Sequence, residues 1–216
     1  VLAFGNRVEA MLKDLREVKL PQGSHWRAEH ADARRLPDSD CSYAAVITSP
    51  PYPNRHDYTR VFGIELMFAF LDWEETRKLR YQSFHSHPEA RPTRPAPDGY
   101  CPPEKLTRAL ARVESSAVDP RVPRMIGGYF VDMYVCLREV ARVCRPGARI
   151  AFVVGNAQYC GEPVPVDELT AEVGEQAGLT CEKILAVRYR GNSAQQMARY
   201  GRNPSRESIV LFRKLR

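Results

Sequence analysis

Residues 42–60 read SYAAVITSPPYPNRHDYTR. The apolar run Ser42 to Ile47 is too short for a helix and is bounded by polar residues, as expected of a strand buried on both faces. Pro50, Pro51 and Pro53 then put three prolines into four residues. Each proline fixes its own φ and pushes the residue before it towards extended geometry, so the chain leaves the strand through a stiff corner. A Pro-Pro pair also lacks two backbone donors, which leaves local carbonyls pointing outward as acceptors. Ser49 adds a hydroxyl and Tyr52 a flat ring. Acceptors beside a stacking face suit a planar ring that carries an amino group.

Working outward, Phe4, Val8, Met11, Leu12, Leu15 and Val18 recur at helical spacing over 4–18. HWRAEHADA, 25–33, alternates loosely and reads as a strand. Beyond the corner, Val61, Ile64, Met67, Phe68 and Leu71 predict a second helix. From about Thr76 to Val122 the periodicity dissolves into an Arg-, Pro- and His-rich stretch, interrupted by a short helix over 103–116, and this reads as an insertion rather than core. Met125, Tyr129, Met133, Leu137 and Val140 then mark a long helix ending at Arg145-Pro146-Gly147. ARIAFVV, 148–154, is a second fully apolar strand. A helix over 166–177 stops at Gly178, and 180–189 and 207–213 read as final strands. This alternation makes an α/β fold with a mostly parallel sheet covered by helices, the last strand antiparallel. Ligands of such sheets bind beyond the carboxyl ends of strands. The Pro corner lies at one such end, and Gly155 to Tyr159 at the next, which brings Gln158 and Tyr159 towards the same rim.

At 216 residues and 44% hydrophobic, the chain holds one ordinary globular domain. No run approaches the roughly 18 apolar residues of a membrane span, and the start has no secretory signal. The missing initiator Met suggests a piece of something longer. Six cysteines, at 41, 101, 136, 144, 160 and 181, include no CxxC pair, which favours reduced thiols in a cytoplasm and no zinc set. His85 and His87 read as plain surface residues, and no metal is expected. A net charge of +6 favours a polyanionic partner.

An exocyclic base amine is a poor nucleophile because its lone pair is delocalised into the ring. Two acceptors gripping its protons favour a more tetrahedral nitrogen and free that pair for a methyl donor, which is positioning and electrostatic preorganisation. A duplex base has to be flipped out to reach such a cup.

AAVITSPPY, 44–52, resembles motif IV of the amino-directed DNA methyltransferases, which use S-adenosylmethionine to modify adenine or cytosine amino groups. HADARRLP, 30–37, is similar to the acidic motif that precedes it in that superfamily, and LREVARVCRPGARIAFVVGN, 137–156, to the helix and fifth strand that follow. The resemblance covers roughly 25–60 and 125–213. It implies a Rossmann-like class I methyltransferase sheet, with Ser49, Pro50, Pro51 and Tyr52 as the catalytic corner. Ser49 and the Pro50 carbonyl would hold the amine and Tyr52 would stack on the base. Asp32 would accept from the cofactor's adenine amine, with Ala33 beside it and Thr48 also in the cofactor site; by its residues alone, Asp32 reads equally well as a cap in the ADARRLP turn. A Ser-first tetrapeptide accompanies cytosine N4 methylation more often, and adenine N6 stays open.

The family's glycine-rich turn, FxGxG after the first strand, has no counterpart here: Gly127-Gly128 fall in a helix start, and Gly155 and Gly161 are too far apart. The first two strands are missing as well. The expectation is therefore a single partial catalytic domain over 1–216, the C-terminal part of a longer or split enzyme, completed by an N-terminal segment or a complementary subunit. Alone it should bind the cofactor poorly and leave the Ala44–Ile47 strand with an unpaired edge.

Double-stranded DNA is the expected partner. RYRGNSAQQMARYGRNPSRES, 188–208, interleaves Arg188, Arg190, Arg199, Arg202 and Arg206 with Tyr189 and Tyr200, which suits phosphates and an unstacked base. Arg55 follows the corner directly, with Asn54, His56, Asp57 and Tyr58. The 76–122 stretch, with Arg77, Arg80, Arg91, Arg94 and Arg108, is a candidate for target recognition. Two other readings stay open: methylation of an RNA base amine, and a nucleic-acid-binding partner subunit without catalysis.

Overall fold

The structure is a computed structural model and describes residues 2–19, 21–91, 96–191, 201 and 204–215, without the side chains of Ala69 and Arg190. The chain divides into two units, 1–31 and 32–216. In the first, the expected amphipathic helix forms as α1 (Leu2–Glu17), with no buried residue. Its apolar stripe, including Phe4, Met11 and Leu15, is exposed.

The second unit carries β1 (Tyr43–Thr48), α2 (Tyr58–Val61), α3 (Gly63–Ala69), α4 (Trp73–Gln82), α5 (Glu104–Ser116), α6 (Arg121–Val143), β2 (Cys144–Gly155), β3 (Ala157–Tyr159), β4 (Glu162–Val164), α7 (Val166–Gln176), β5 (Thr180–Arg190) and β6 (Ser205–Arg213). Its main sheet has the order β1-β2-β6-β5. β1 runs parallel to β2, and β6 is antiparallel to both β2 and β5. Three strands therefore share one direction and the last runs in the opposite sense, as expected; its place between β2 and β5 is a finding of the structure. β3 and β4 form a separate small hairpin.

The core lies where α6 and α7 pack together and α7 covers β2, β5 and β6. Met125, Ile126, Tyr129, Phe130, Met133 and Leu137 line the inner face of α6 at helical spacing. Ile150, Phe152 and Val154 supply the inward face of β2, with Val210 and Phe212 from β6. Phe152 and Phe212 meet edge-to-face with ring centroids 6.2 Å apart. Gly174 admits the Phe212 ring onto α7, because a Cβ there would stand 2.4 Å from its Cε1. The segment before β1 is strapped to α6. The Arg142 guanidinium donates to the Leu36 and Asp38 carbonyls, and the Leu36 N–H donates to Glu139.

Four expectations need correction. HWRAEHADA is no strand: among the described residues it finds no ladder partner, and only an isolated bridge, Asp32 to Arg35, forms there. β1 is not buried on both faces; Ile47 is 83% exposed, because no described helix of the second unit lies over that side. The helix read from Val61 onward breaks at Phe62-Gly63 into α2 and α3, and a further helix, α4, runs through 76–82, started by an Asp72–Glu75 capping box. The stretch taken as insertion rather than core also reaches inside: His85, His87 and Ala90 are buried, and Leu106, Ala109 and Val113 of α5 pack against α6. The apolar positions of α5 follow helical spacing, so its inward face was there to be read.

Candidate active site

β1 ends at Thr48, paired with Phe152, and the Pro corner begins at the next residue. Ser49 is exposed, while Pro50, Pro51 and Tyr52 are half-buried. Among the described residues no hydrogen bond reaches the Ser49 hydroxyl or the Pro50 carbonyl. The following carbonyls are already used: Tyr52 O accepts the Asn54 N–H at 2.8 Å, and Pro53 O accepts the Tyr159 hydroxyl. The corner is thus open on its Ser49–Pro50 side and anchored beyond.

The Tyr52 ring lies against Gly155, the last residue of β2; a Cβ there would sit 3.0 Å from both Cδ2 and Cε2 of the ring. The Tyr52 hydroxyl donates to Glu207 Oε1 at 2.9 Å. Glu207 Oε2 in turn accepts from Arg188 Nε, and this hydrogen bond holds the guanidinium above its ordinary pKa. Arg188, expected on phosphates, is therefore already engaged with a protein carboxylate while its side chain stays 59% exposed. Tyr159 is buried; burial pushes its phenol above the ordinary range although the Arg55 charge opposes this, so the hydroxyl remains a donor to Pro53. Arg55 stands 5.8 Å from the Tyr159 ring centroid. Its backbone is left-handed, with φ +66°, and its N–H donates to Ser86 O at 2.9 Å. A non-glycine residue in that region stores backbone strain, which the Ser86 contact and the Asn54–His56 turn hold in place. Gln158 donates to the Gly161 carbonyl and closes the β3–β4 turn.

Asp57 caps α2 through the Thr59 N–H at 2.9 Å and the Thr59 hydroxyl at 2.6 Å. Burial would raise its pKa, yet the Thr59 hydrogen bonds and the His87 and Arg80 charges lower it. His85 and His87, read as surface residues, are buried. The His85 ring and N–H both meet Asp132 Oδ2, at 2.7 and 3.0 Å. His87 Nε2 is 2.9 Å from Ser83 Oγ. Asp132 stands 47 positions along the chain from His85, a partner that spacing alone cannot show. Among the described residues, Asp57, His87 and Glu89 bring three possible ligand atoms within 4.8 Å of one another. Arg80 and Arg60 already stand against the same Asp57 oxygen at 3.0 and 3.2 Å, so that carboxylate is matched by protein cations.

Asp32 sits in the ADARRLP turn. Its carboxylate takes the Arg34 N–H at 2.9 Å and is gripped by the Arg34 guanidinium, which also reaches Asp132 at 3.3 Å and the Gln82 carbonyl at 2.8 Å. Asp32 and Ala33 are exposed. The capping alternative for Asp32 is what the hydrogen bonds display. Arg199 and Arg202 lie outside the described residues, as does the side chain of Arg190, whose backbone pairs with Ser205.

Glu207, Asp132 and Arg34 were missed by motif reading. Glu207 had a signal: it is an acid two residues ahead of the apolar run IVLF, and a buried carboxylate demands partners. Close by, a cavity of about 430 Å³ opens between Asn156, Gln158, Pro165, Glu168, Tyr189 and Arg206.

No protein-family model matches the chain. It is 32% identical to the type II methyltransferase M.BsoBI of Geobacillus stearothermophilus over 228 residues, which covers 94% of this chain and 45% of that protein. It is 30% identical over 191 residues to the type II methyltransferase M.AvaI of Nostoc sp. and of Anabaena variabilis, covering 80% of this chain and 38% of each. The chain thus spans less than half the length of these curated relatives. A solved structure from Thermus thermophilus, provisionally described as a DNA modification methylase, aligns with a TM-score of 0.41 at 15% identity, covering 86% of this chain and 51% of that one.

Proposed function

The curated homologues of this chain are type II methyltransferases, and from that premise we propose that it carries the target-amine side of a DNA methyltransferase. The observation that supports this most is the corner itself: Ser49 and the Pro50 carbonyl open at the carboxyl end of β1, beside a Tyr52 ring fixed against Gly155. In this reading the Ser49 hydroxyl oxygen and the Pro50 carbonyl oxygen accept hydrogen bonds from the two N–H groups of an exocyclic base amine. Tyr52 stacks on the flipped base and Pro51 keeps the three groups in one geometry. Gripping both protons frees the nitrogen lone pair for methylation, a gain of positioning and preorganised charge. Cytosine N4 is the proposed target, on the Ser-first form of the corner.

S-adenosylmethionine is the donor this reading calls for, and when bound it supplies a methyl group made electrophilic by a sulfonium. The acceptor proposed for its adenine amine is Asp32, with Ala33 and Thr48 as the other proposed cofactor contacts. Asp32 would have to share its carboxylate with Arg34. No glycine-rich turn for the methionine end is found among the described residues. The sheet is proposed to be the second half of a Rossmann-like class I sheet. The open edge of β1, the strand that carries exposed Ile47, is the place where a strand from the rest of the enzyme, in the same polypeptide or a companion subunit, would add. Arg55 and Arg188 are proposed to meet the DNA backbone, and 76–122 to contribute target recognition, with Arg91 stacked on Tyr81 at 4.1 Å. Among the described residues no helix is long and apolar enough to cross a membrane; a cytoplasmic location belongs to the same proposal.

The test is transfer of labelled methyl from S-adenosylmethionine to double-stranded DNA by the full-length protein, with nucleoside mass spectrometry to separate N4-methylcytosine from N6-methyladenine. Ser49→Ala and Tyr52→Ala are each expected to lower kcat on the order of a hundredfold. Unchanged transfer by either variant, or transfer to RNA alone, overturns the reading.

A further inference from the structure

Three neighbouring strands place Gly155, Glu207 and Arg188 in one row across the sheet: Gly155 of β2 pairs with Glu207 of β6, and Glu207 pairs with Arg188 of β5. Side chains directly opposite one another on adjacent strands share a face and touch. Tyr52 enters this row from the Pro corner. It lies over Gly155, the position without a side chain, where an added Cβ would meet the ring at 3.0 Å. Its hydroxyl reaches one strand further, to Glu207, whose second oxygen is held by Arg188 from the strand beyond.

Glu207 is only 7% exposed. Its immediate neighbours along β6 are Arg206 and Ser208, and the strand turns apolar only from Ile209 to Phe212. A buried ion pair is a poor source of stability, and an apolar residue of similar size often does as well or better. A carboxylate there makes physical sense as an acceptor aimed at the phenol, with Arg188 holding its second oxygen.

We infer that Glu207 is a positioning residue for the methylation proposed above: it sets the angle of the Tyr52 ring, and Arg188 sets Glu207. The ring is held at both ends. Tyr159 anchors the Pro53 carbonyl next to its backbone, and Glu207 anchors its hydroxyl. Without the second anchor the ring rocks on Gly155, and the base above it loses alignment with the Ser49–Pro50 acceptors. This inference rests on the methyltransferase reading for its kinetic consequence and on the geometry alone for the clamp.

Steady-state methylation of DNA by the full-length protein tests it. Glu207→Leu fills the strand position without an acceptor, and Tyr52→Phe keeps the ring without its hydroxyl. Each is expected to lower kcat about tenfold with KM for DNA within about twofold, and the double variant to lose no more than either single one. Glu207→Gln, which keeps an acceptor oxygen, should recover most of the loss, while Glu207→Leu melts at or above the wild-type temperature. Multiplying effects in the double variant, a loss confined to KM, or full activity in Glu207→Leu overturns the inference. Should the wild type transfer no methyl to DNA, it is the functional reading that fails. The clamp is then judged by 3-fluorotyrosine at position 52: its ¹⁹F resonance must move in Glu207→Leu, and an unmoved resonance overturns the clamp too.

Discussion

β1 and β2 lie side by side in register, yet they live in different surroundings. Ile150 and Phe152 of β2 are 1% and 2% exposed, while their partners Val46 and Thr48 of β1 are only half-buried. Two helices repeat the contrast, with Phe68 of α3 90% exposed and Phe130 of α6 fully buried. Both sides carry the same kind of apolar residues. What differs is company: α7 packs over β2, β5 and β6, and no described helix of the same unit covers Ile47. Apolar composition states what a segment would gain from burial; only the neighbours decide whether it is buried. The Pro corner sits on the boundary between the two regimes, anchored through Tyr52 and open at Ser49.

The contrast breaks if truncation costs the same on both sides. Phe212→Ala, in the packed part, is expected to cost about 3–5 kcal/mol in urea unfolding, whereas Phe68→Ala should stay within about 0.5 kcal/mol. Adding a methyl group sharpens it next. Gly174→Ala drives a Cβ into the Phe212 ring and should cost about 1–3 kcal/mol. Gly63→Ala at the start of α3 meets open space and should gain no more than about 1 kcal/mol through helix propensity. A midpoint that falls in both variants would remove the distinction.

Acid should erode the packed side through Asp167, which is fully buried and ties α7 to β6 by hydrogen bonds from Arg206 and Ser208 at 2.6 Å each. Burial alone would raise its pKa, but those two hydrogen bonds and the Arg206 charge outweigh it and lower the value. A depressed folded-state pKa stabilises above the unfolded value, near 4, and that contribution is lost as pH falls through the folded-state value. The urea midpoint is expected to drop below about pH 4, and Asp167→Asn to flatten that drop; an unchanged slope in the variant would speak against the tether. The smallest effect belongs to the exposed Arg112–Glu162 pair at 2.8 Å, for which a double-mutant cycle should give at most about 1 kcal/mol, fading with salt.

Most of the packed half was legible in the sequence. The 3.6-residue spacing of Met125 to Val140 and the apolar run 148–154 carry α6 and β2 without outside help, and the alternation of elements gives the sheet its class. The Pro corner was legible because proline acts on its own backbone. The rest depended on partners that only the folded chain supplies. HWRAEHADA has the alternation of a strand but finds no described neighbour to bond. His85 and His87 look like solvent residues until Asp132 on α6 and Ser83 at the end of α4 are in place. Glu207 stands out only as an acid close to the apolar run 209–212; its meaning comes from Tyr52, far earlier in the chain.

The insertion of β6 between β2 and β5 has a consequence for biosynthesis. A ribosome makes both outer neighbours before the strand that joins them, so at about 5–20 residues per second the nascent polypeptide waits seconds with two unzipped edges. The acid that steadies Tyr52 arrives on that late strand. No chemistry requiring it can begin before that strand is made.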